Sequence, residues 1–248
     1  MLLRLILDPP AAGDWNMAVD EMMLETVATS GQPVMRFYAW QEPTLSLGYF
    51  QSLQDRRQHL ASMACPVVRR STGGGAIVHD QEITYSIALP LADRWSSAAA
   101  ELYDVFHAGL IAVLAQCGVC AALCEKTLHP LEGEPFLCFE RRAKGDVLLD
   151  SHKIAGSAQR RRRGAILQHG SVLLDRSRAA PGLLGIAQIA GKRLTAEELI
   201  AGWSRKIAIS LGVTLLPSAW TAAEIELAET VLSTRFASPD WLQRRDSR

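Results

Sequence analysis

The sequence predicts an α+β fold. Long helical patterns are interspersed with hairpin-like strands, unlike the strict strand–helix alternation of a parallel α/β sheet. Hydrophobic residues make up 48% of the 248-residue chain, enough to bury a core without staples. No run of 18 apolar residues is present, so no membrane span is expected. The length suits one large domain over residues 1–248, and no internal repeat or linker divides it.

The elements follow in order. Residues 2–8 are rich in Leu and Ile and predict a strand. Asp14 is placed to cap a helix beginning at WNMAVDEMMLETVA, where Met17, Asp20, Met22, Leu24 and Val27 form an imperfect apolar stripe. RFYAW and TLSLGYF predict short strands on either side of Pro43. Residues 52–64 predict a helix. PVVRR predicts a strand that runs into the glycine-rich STGGGAIVHD, and EITYSIALP predicts the next strand. The spacing of Leu102, Val105, Phe106, Leu110, Val113 and Leu114 predicts a helix over 97–116. DVLLDSHKIAGSAQ reads as a hairpin turning near Asp150-Ser151-His152, and AILQHGSVLLD as a further strand. Helices are expected at about 195–211 and 221–235, the first opened by a Thr195/Glu198 capping box.

Twenty-six basic and 26 acidic side chains cancel, so bulk charge gives no support to nucleic-acid binding. The five cysteines are an odd set. The N-terminal apolar run ends at Pro9-Pro10, too short for a secretory signal. Free thiols in a reducing cytoplasm are the expectation.

Three segments carry candidate chemistry. Arg69-Arg70-Ser71-Thr72-Gly73-Gly74-Gly75 can expose backbone N–H groups to a ligand, with the arginines holding an anion. It also reads as a flexible turn. It is neither a Walker loop nor a dinucleotide fingerprint, because the glycine spacing fits neither. Lys153 in KIAGSAQ lies among small residues, where an ammonium can stabilise an oxyanion; the alternative is an edge-strand lysine facing water. Cys138 in FLCF is either an inert core thiol or a nucleophile that needs a nearby cation. Lys153 follows it by 15 residues, across a turn. Cys117, Cys120 and Cys124 have i, i+3, i+7 spacing, but their apolar surroundings suggest a core helix running into a strand, and no metal site is expected. Arg160 to Arg163 read as a solvated loop or as a docking patch for an acidic carrier domain.

Taken together, GDWNMAVDE, MRFYAWQEPTLSLGYFQ, VVRRSTGGGAIVHDQEITYS, KIAGSAQRRRRGAILQHGSVLLD and the closing SPDW resemble the lipoate–protein ligase, octanoyltransferase and biotin ligase superfamily over nearly the whole chain. Within it, the chain is most similar to the cysteine-dependent octanoyltransferases. Cys138-Phe139 matches their nucleophile motif. HDQEITYS follows the glycine turn, where ligases usually carry Gly-Asn at the positions of Glu82 and Ile83. The small C-terminal accessory domain of many ligases is not seen in the chain. Two features differ from those transferases: Gly73-Gly74-Gly75 stands where they often have Gly-Gly-Arg, and ERRAKGDVLLDSH after Cys138 is unlike theirs.

The resemblance implies a mixed or antiparallel sheet core flanked by helices, the biotin/lipoate ligase catalytic fold related to class II synthetases. It implies that Cys138 takes an octanoyl group from acyl carrier protein and passes it to a lysine of a lipoyl-domain protein, the glycine cleavage H protein first among acceptors, with no cofactor. Lys153 is then the catalytic partner of Cys138. Arg70, Gly73, Gly74, Gly75, His79, Gly156, Ser157 and His169 form the substrate pocket. The competing readings are an ATP-dependent lipoate–protein ligase, an octanoyl amidotransferase between two lipoyl domains, and a non-catalytic carrier-protein binder.

Overall fold

A computed structural model describes residues 1–92, 98–127 and 133–245. Its centre is an eight-stranded mixed sheet. In chain order the strands and helices are β1 (Leu2–Leu7), α1 (Gly13–Ser30), β2 (Val34–Tyr38), β3 (Thr44–Leu47), β4 (Val67–Arg69), β5 (Ile77–His79), β6 (Glu82–Pro90), α2 (Ala98–Gln116), β7 (Ala121–Leu123), β8 (Val147–Leu149), β9 (His152–Arg162), β10 (Ala165–Leu173), α3 (Ile186–Ala190), α4 (Ala196–Leu211), β11 (Thr214–Pro217), α5 (Ala222–Val231) and α6 (Pro239–Gln243). The large sheet runs β11-β1-β2-β6-β10-β9-β8-β7, and β4-β3-β5 form a small second sheet. β1 pairs in parallel with β2 and β11, and the remaining pairs of the large sheet are antiparallel. The α+β expectation holds.

Strand alternation sorts the two faces. On β6, Ile83, Tyr85, Ile87 and Leu89 face α2 and α4, packing with Phe106, Leu110, Trp203 and Ile207. Trp203 Nε1 donates to the Phe106 carbonyl at 2.8 Å, so its polar edge is satisfied inside the core. On the other face Ala88 and Leu167 pack under α1 with Val19, Met22, Met23 and Leu24. Further along that face the alternating positions turn polar, with Thr84 and Ser86 on β6 and His169 and Ser171 on β10, all buried. That polar run forms one side of the candidate site.

Several elements differ from expectation. Helix α1 starts at Gly13, with Ala12 at the cap position and no side-chain cap; Asp14 instead accepts from the N–H of Trp15 at 2.8 Å. Packing sets this start, since a Cβ on Gly13 would meet Thr44 and Trp40 within 2.9 Å. The expected 52–64 helix is two short 3-10 turns, Leu53–Gln58 and Leu60–Ser62, broken at His59. TLSLGYF is strand only through Leu47, because the chain turns at Gly48. The 221–235 helix is α helical to Val231 and finishes in a π-helical turn, Leu232–Phe236. Residue 97, the first of the expected 97–116 helix, lies outside the described residues. The Thr195/Glu198 capping box and the hairpin of β8 and β9 are as read from sequence.

Arg160 and Arg162 extend β9 rather than a loop. Both pair with the buried Glu21 of α1, Arg160 at 3.4 Å. Only Arg161 and Arg163 of the four face outward.

Candidate active site

A cavity of about 330 Å³ opens between the glycine turn, the Cys138 segment, β9 and β10. It falls within the size range of small-molecule clefts. Cys138, Lys153, Arg70, Gly73, Gly74, His79, Gly156, Ser157 and His169 all line it. Of the residues predicted from sequence, only Gly75 is absent from the lining. It lies just behind the wall, where a Cβ would meet the Cys138 nitrogen at 3.1 Å.

Cys138 opens a single 3-10 turn, Cys138–Glu140. The apolar neighbours that made it resemble a core thiol are the anchor of this segment. Phe136 and Leu137 are buried with Leu45, Leu47, Ala76 and Val78 of the small sheet. Ala76 grips the segment on both sides: its N–H donates to Phe136 O at 3.0 Å, and its carbonyl accepts from the N–H of Cys138 at 2.7 Å. The thiol itself remains partly exposed at the cavity. Ala76, just after the glycine turn, and Cys138, which bears the thiol, are 62 positions apart in sequence and thus joined by a main-chain hydrogen bond.

Lys153 comes from the opposite wall. Its buried ammonium stands 3.7 Å from Cys138 Sγ and 3.5 Å from Cys138 O. It forms an ion pair with Asp146 Oδ2 at 2.9 Å. Phe139 lies below, its ring centroid 5.4 Å away. Gly156 also leaves room for this lysine: a Cβ there would stand 2.6 Å from Lys153 Cε.

The arginines before the glycine turn brace main chain. Arg69 donates to the carbonyls of Gly48, Gln51, Trp241 and Leu242. Arg70 donates to Ser46 O and Oγ and to the carbonyls of Gly73 and Gly75, at 2.7–3.2 Å. No carboxylate among the described residues lies in ion-pair contact with Arg70, and burial pulls its pKa down to about 10. Gly74 has φ +96°, a left-handed conformation that suits glycine. Its carbonyl occupies the space that a Cβ on Gly48 would need.

Both histidines are held by carboxylates. His169 Nδ1 donates to Asp20 Oδ2 at 2.8 Å, and Thr72 Oγ1 lies 2.7 Å from Nε2. Burial opposes the Asp20 charge, but Arg36 at 2.8 Å, His169 and Ser86 outweigh it and hold the carboxyl below its usual range. His79 Nδ1 donates to Glu82 at 2.7 Å, and Nε2 accepts from Ser46 at 2.6 Å. Its ring stacks on Trp40 with centroids 3.9 Å apart, and burial lowers its pKa despite the carboxylate.

Ser157 closes the far wall. Its hydroxyl meets Tyr85 Oη at 2.6 Å and His107 Nε2 at 2.7 Å, while His107 Nδ1 donates to Gly145 O at 2.6 Å. The last contact fixes the tautomer, so Ser157 donates to Nε2. Burial lowers the His107 pKa.

Sequence reading did not identify Asp146, Asp20, Glu82 or His107. Asp20 was visible only as the flaw in an apolar helical stripe. The three helix-spaced cysteines do not converge: Cys124 is buried with its thiol 3.1 Å from Lys126 O, while Cys120 is exposed. Among the described residues no three His, Cys, Asp or Glu side chains could hold a metal. No described helix is long and apolar enough to cross a membrane.

The lipoyl protein ligase A/B catalytic domain family matches residues 13–193. Octanoyltransferase LipM of Brevibacillus brevis is 32% identical, covering 93% of this chain and 94% of its own length. LipM of Bacillus subtilis is 29% identical, covering 95% of each. Among solved structures, lipoate-protein ligase A bound with ATP has a TM-score of 0.77 at 20% identity, covering 99% of this chain and 100% of its own. A bi-partite lipoate protein ligase from Thermoplasma acidophilum has a TM-score of 0.75 at 19% identity, covering 99% and 97%. At such identities these structures show the shared fold.

Proposed function

The chain belongs to the lipoyl protein ligase A/B catalytic domain family, and from that premise we propose that it is an octanoyltransferase of protein lipoylation working through a Cys138 acyl-enzyme. The observation that carries the mechanism is the 3.7 Å approach of Lys153 Nζ to Cys138 Sγ inside a cavity. The relatives named octanoyltransferase LipM support the activity.

The Cys138 sulfur attacks the carbonyl carbon of an octanoyl thioester on acyl carrier protein. The carbon–sulfur bond to the carrier breaks, and the carrier leaves as a thiol. The amine of a lipoyl-domain lysine then attacks the Cys138 thioester, forming an amide and returning the cysteine. Overall the acceptor ammonium gives up two protons, one to the carrier thiol and one to solvent. The first exchange is nearly balanced, and the stable amide pulls the second forward. The acyl group arrives activated, so ATP has no task.

The Lys153 ammonium faces the sulfur and donates to the oxyanion; a preorganised donor of this kind is worth about 3–4 kcal/mol. The seven carbons beyond the carbonyl need an apolar channel, worth at most roughly 5–6 kcal/mol. Glu82 speaks against the ligase reading. Where ligases usually carry Gly-Asn, this carboxylate is buried and takes hydrogen bonds from His79, Thr84 and Ser171. The glycine cleavage H protein is the acceptor we favour.

The test mixes the protein with octanoyl carrier protein and a lipoyl domain without ATP. Transfer of one octanoyl group to the domain is expected. Modification that requires ATP and free octanoate or lipoate would identify a ligase instead.

A further inference from the structure

Lys153 has more to hold it than the thiol. An ammonium carries three N–H donors on a flexible four-carbon stem. The shortest contact, 2.9 Å, goes to Asp146 Oδ2, and the Cys138 carbonyl and sulfur lie farther off, at 3.5 and 3.7 Å. Asp146 is itself fixed. Its Oδ2 accepts from the N–H of Ala143 at 2.7 Å, and its carbonyl accepts from the N–H of Cys124 at 2.7 Å. Gly156 keeps the slot open on the other side, since a Cβ there would press on Lys153 Cε and Nζ and stand 3.1 Å from Asp146 Oδ1.

We propose that Asp146 is a positioning residue, which takes one donor of Lys153 so that the others are aimed at the Cys138 sulfur and at the carbonyl oxygen of an acyl group bound there. The inference rests on the reading of Cys138 as the nucleophile. Stability alone is a poor reason for the pair, because a buried ion pair often adds nothing over apolar residues of the same volume. Aim is a better one. Without the carboxylate the lysine stem is free to rotate, and a misplacement of about 1 Å can cost on the order of 100-fold in rate.

The experiment is a double-mutant cycle on Asp146→Asn and Lys153→Met. One readout is single-turnover octanoylation of Cys138 by octanoyl carrier protein. The other is alkylation of Cys138 by iodoacetamide, which needs no protein substrate. Asp146→Asn is expected to slow octanoylation about 10- to 100-fold and to alter the alkylation rate. Asp146→Glu should recover part of the octanoylation. Neither change should persist when Lys153 is already Met. Octanoylation of Asp146→Asn within about threefold of wild type, or losses that multiply in the double variant, would overturn the proposal. If Asp146→Asn does not fold, Asp146→Glu carries the same cycle, judged by the same non-additivity. If no variant is octanoylated, wild type included, while alkylation shows the non-additive pattern, Asp146 keeps its role and the acyl-transfer reading falls.

Discussion

The ammonium of Lys153 faces the sulfur of Cys138 at 3.7 Å from the opposite wall of the cavity, one residue on strand β9 and the other on a 3-10 turn held by the small sheet. If the lysine stabilises both thiolate and oxyanion, Lys153→Ala should slow Cys138 acylation roughly 100- to 1000-fold. Lys153→Arg should restore little, because a planar guanidinium is bulkier and directs its donors differently. Single-turnover acylation beside a thermal melt checks both. A folded Lys153→Ala that acylates within about threefold of wild type would make the lysine structural.

Cys138→Ser should accept no thiol-labile octanoyl group from octanoyl carrier protein, whereas wild type gains one. Intact mass before and after hydroxylamine treatment gives the answer. Equal adducts on both proteins would move the nucleophile to another cysteine.

His107 predicts a pH dependence of stability. Burial lowers its folded-state pKa below the ordinary 6.5, so the fold favours the neutral ring while the unfolded chain takes a proton. Its contribution is therefore intact above about pH 6.5 and is lost as pH falls toward the folded value, by at most about 1.4 kcal/mol per pH unit. His79 is lowered in the same sense. Urea unfolding across this range should show a flatter curve for His107→Gln than for wild type. Parallel curves would mean that His107 does not titrate between the two states.

Gly48→Ala should displace the glycine turn, because the new methyl would occupy the position of the Gly74 carbonyl oxygen. A loss of about 1–3 kcal/mol is expected, together with impaired acylation. Gly118→Ala is the control. It is strained by its own φ of +74° but has nothing within 4 Å of the added methyl, so its acylation rate should remain that of wild type.

Cys117, Cys120 and Cys124 should bind no metal. Elemental analysis of anaerobically purified protein should find zinc and iron well below one equivalent. A full equivalent lost on replacing the three would contradict their divergent placement.

Much of the fold was legible in the sequence. β6 and β10 were read as strands from EITYSIALP and AILQHGSVLLD, and α4 announced its start through Thr195 and Glu198. What the sequence did not disclose was pairing at long range. β7, β11 and the small sheet are three- or four-residue strands with no period of their own, and β11, one of the two parallel partners of β1, lies some two hundred residues along the chain. The site divides in the same way. Cys138 and Lys153 were nameable from short motifs, and the cavity brings them together. Asp146 and Asp20 were not, since a buried carboxylate looks in sequence like any surface acid until its cation is found.

Segments far apart in the sequence are fastened together. β1 lies between β2 and β11, Arg4 pairs with Glu224 at 2.5 Å, and Arg69 beside the glycine turn takes the carbonyls of Trp241 and Leu242. For a protein made from its N-terminus onward, these contacts wait for residues made long after β1 and the glycine turn, 172 positions later for Arg69 and Trp241 and 220 for Arg4 and Glu224. Such distant closures also slow folding, because loop entropy is spent before the contacts repay it. The nascent chain therefore carries β1 with one edge bare and Arg69 short of two of its acceptors until residues 214–242 have followed, which makes this interval the one in which a chaperone would matter most to its yield.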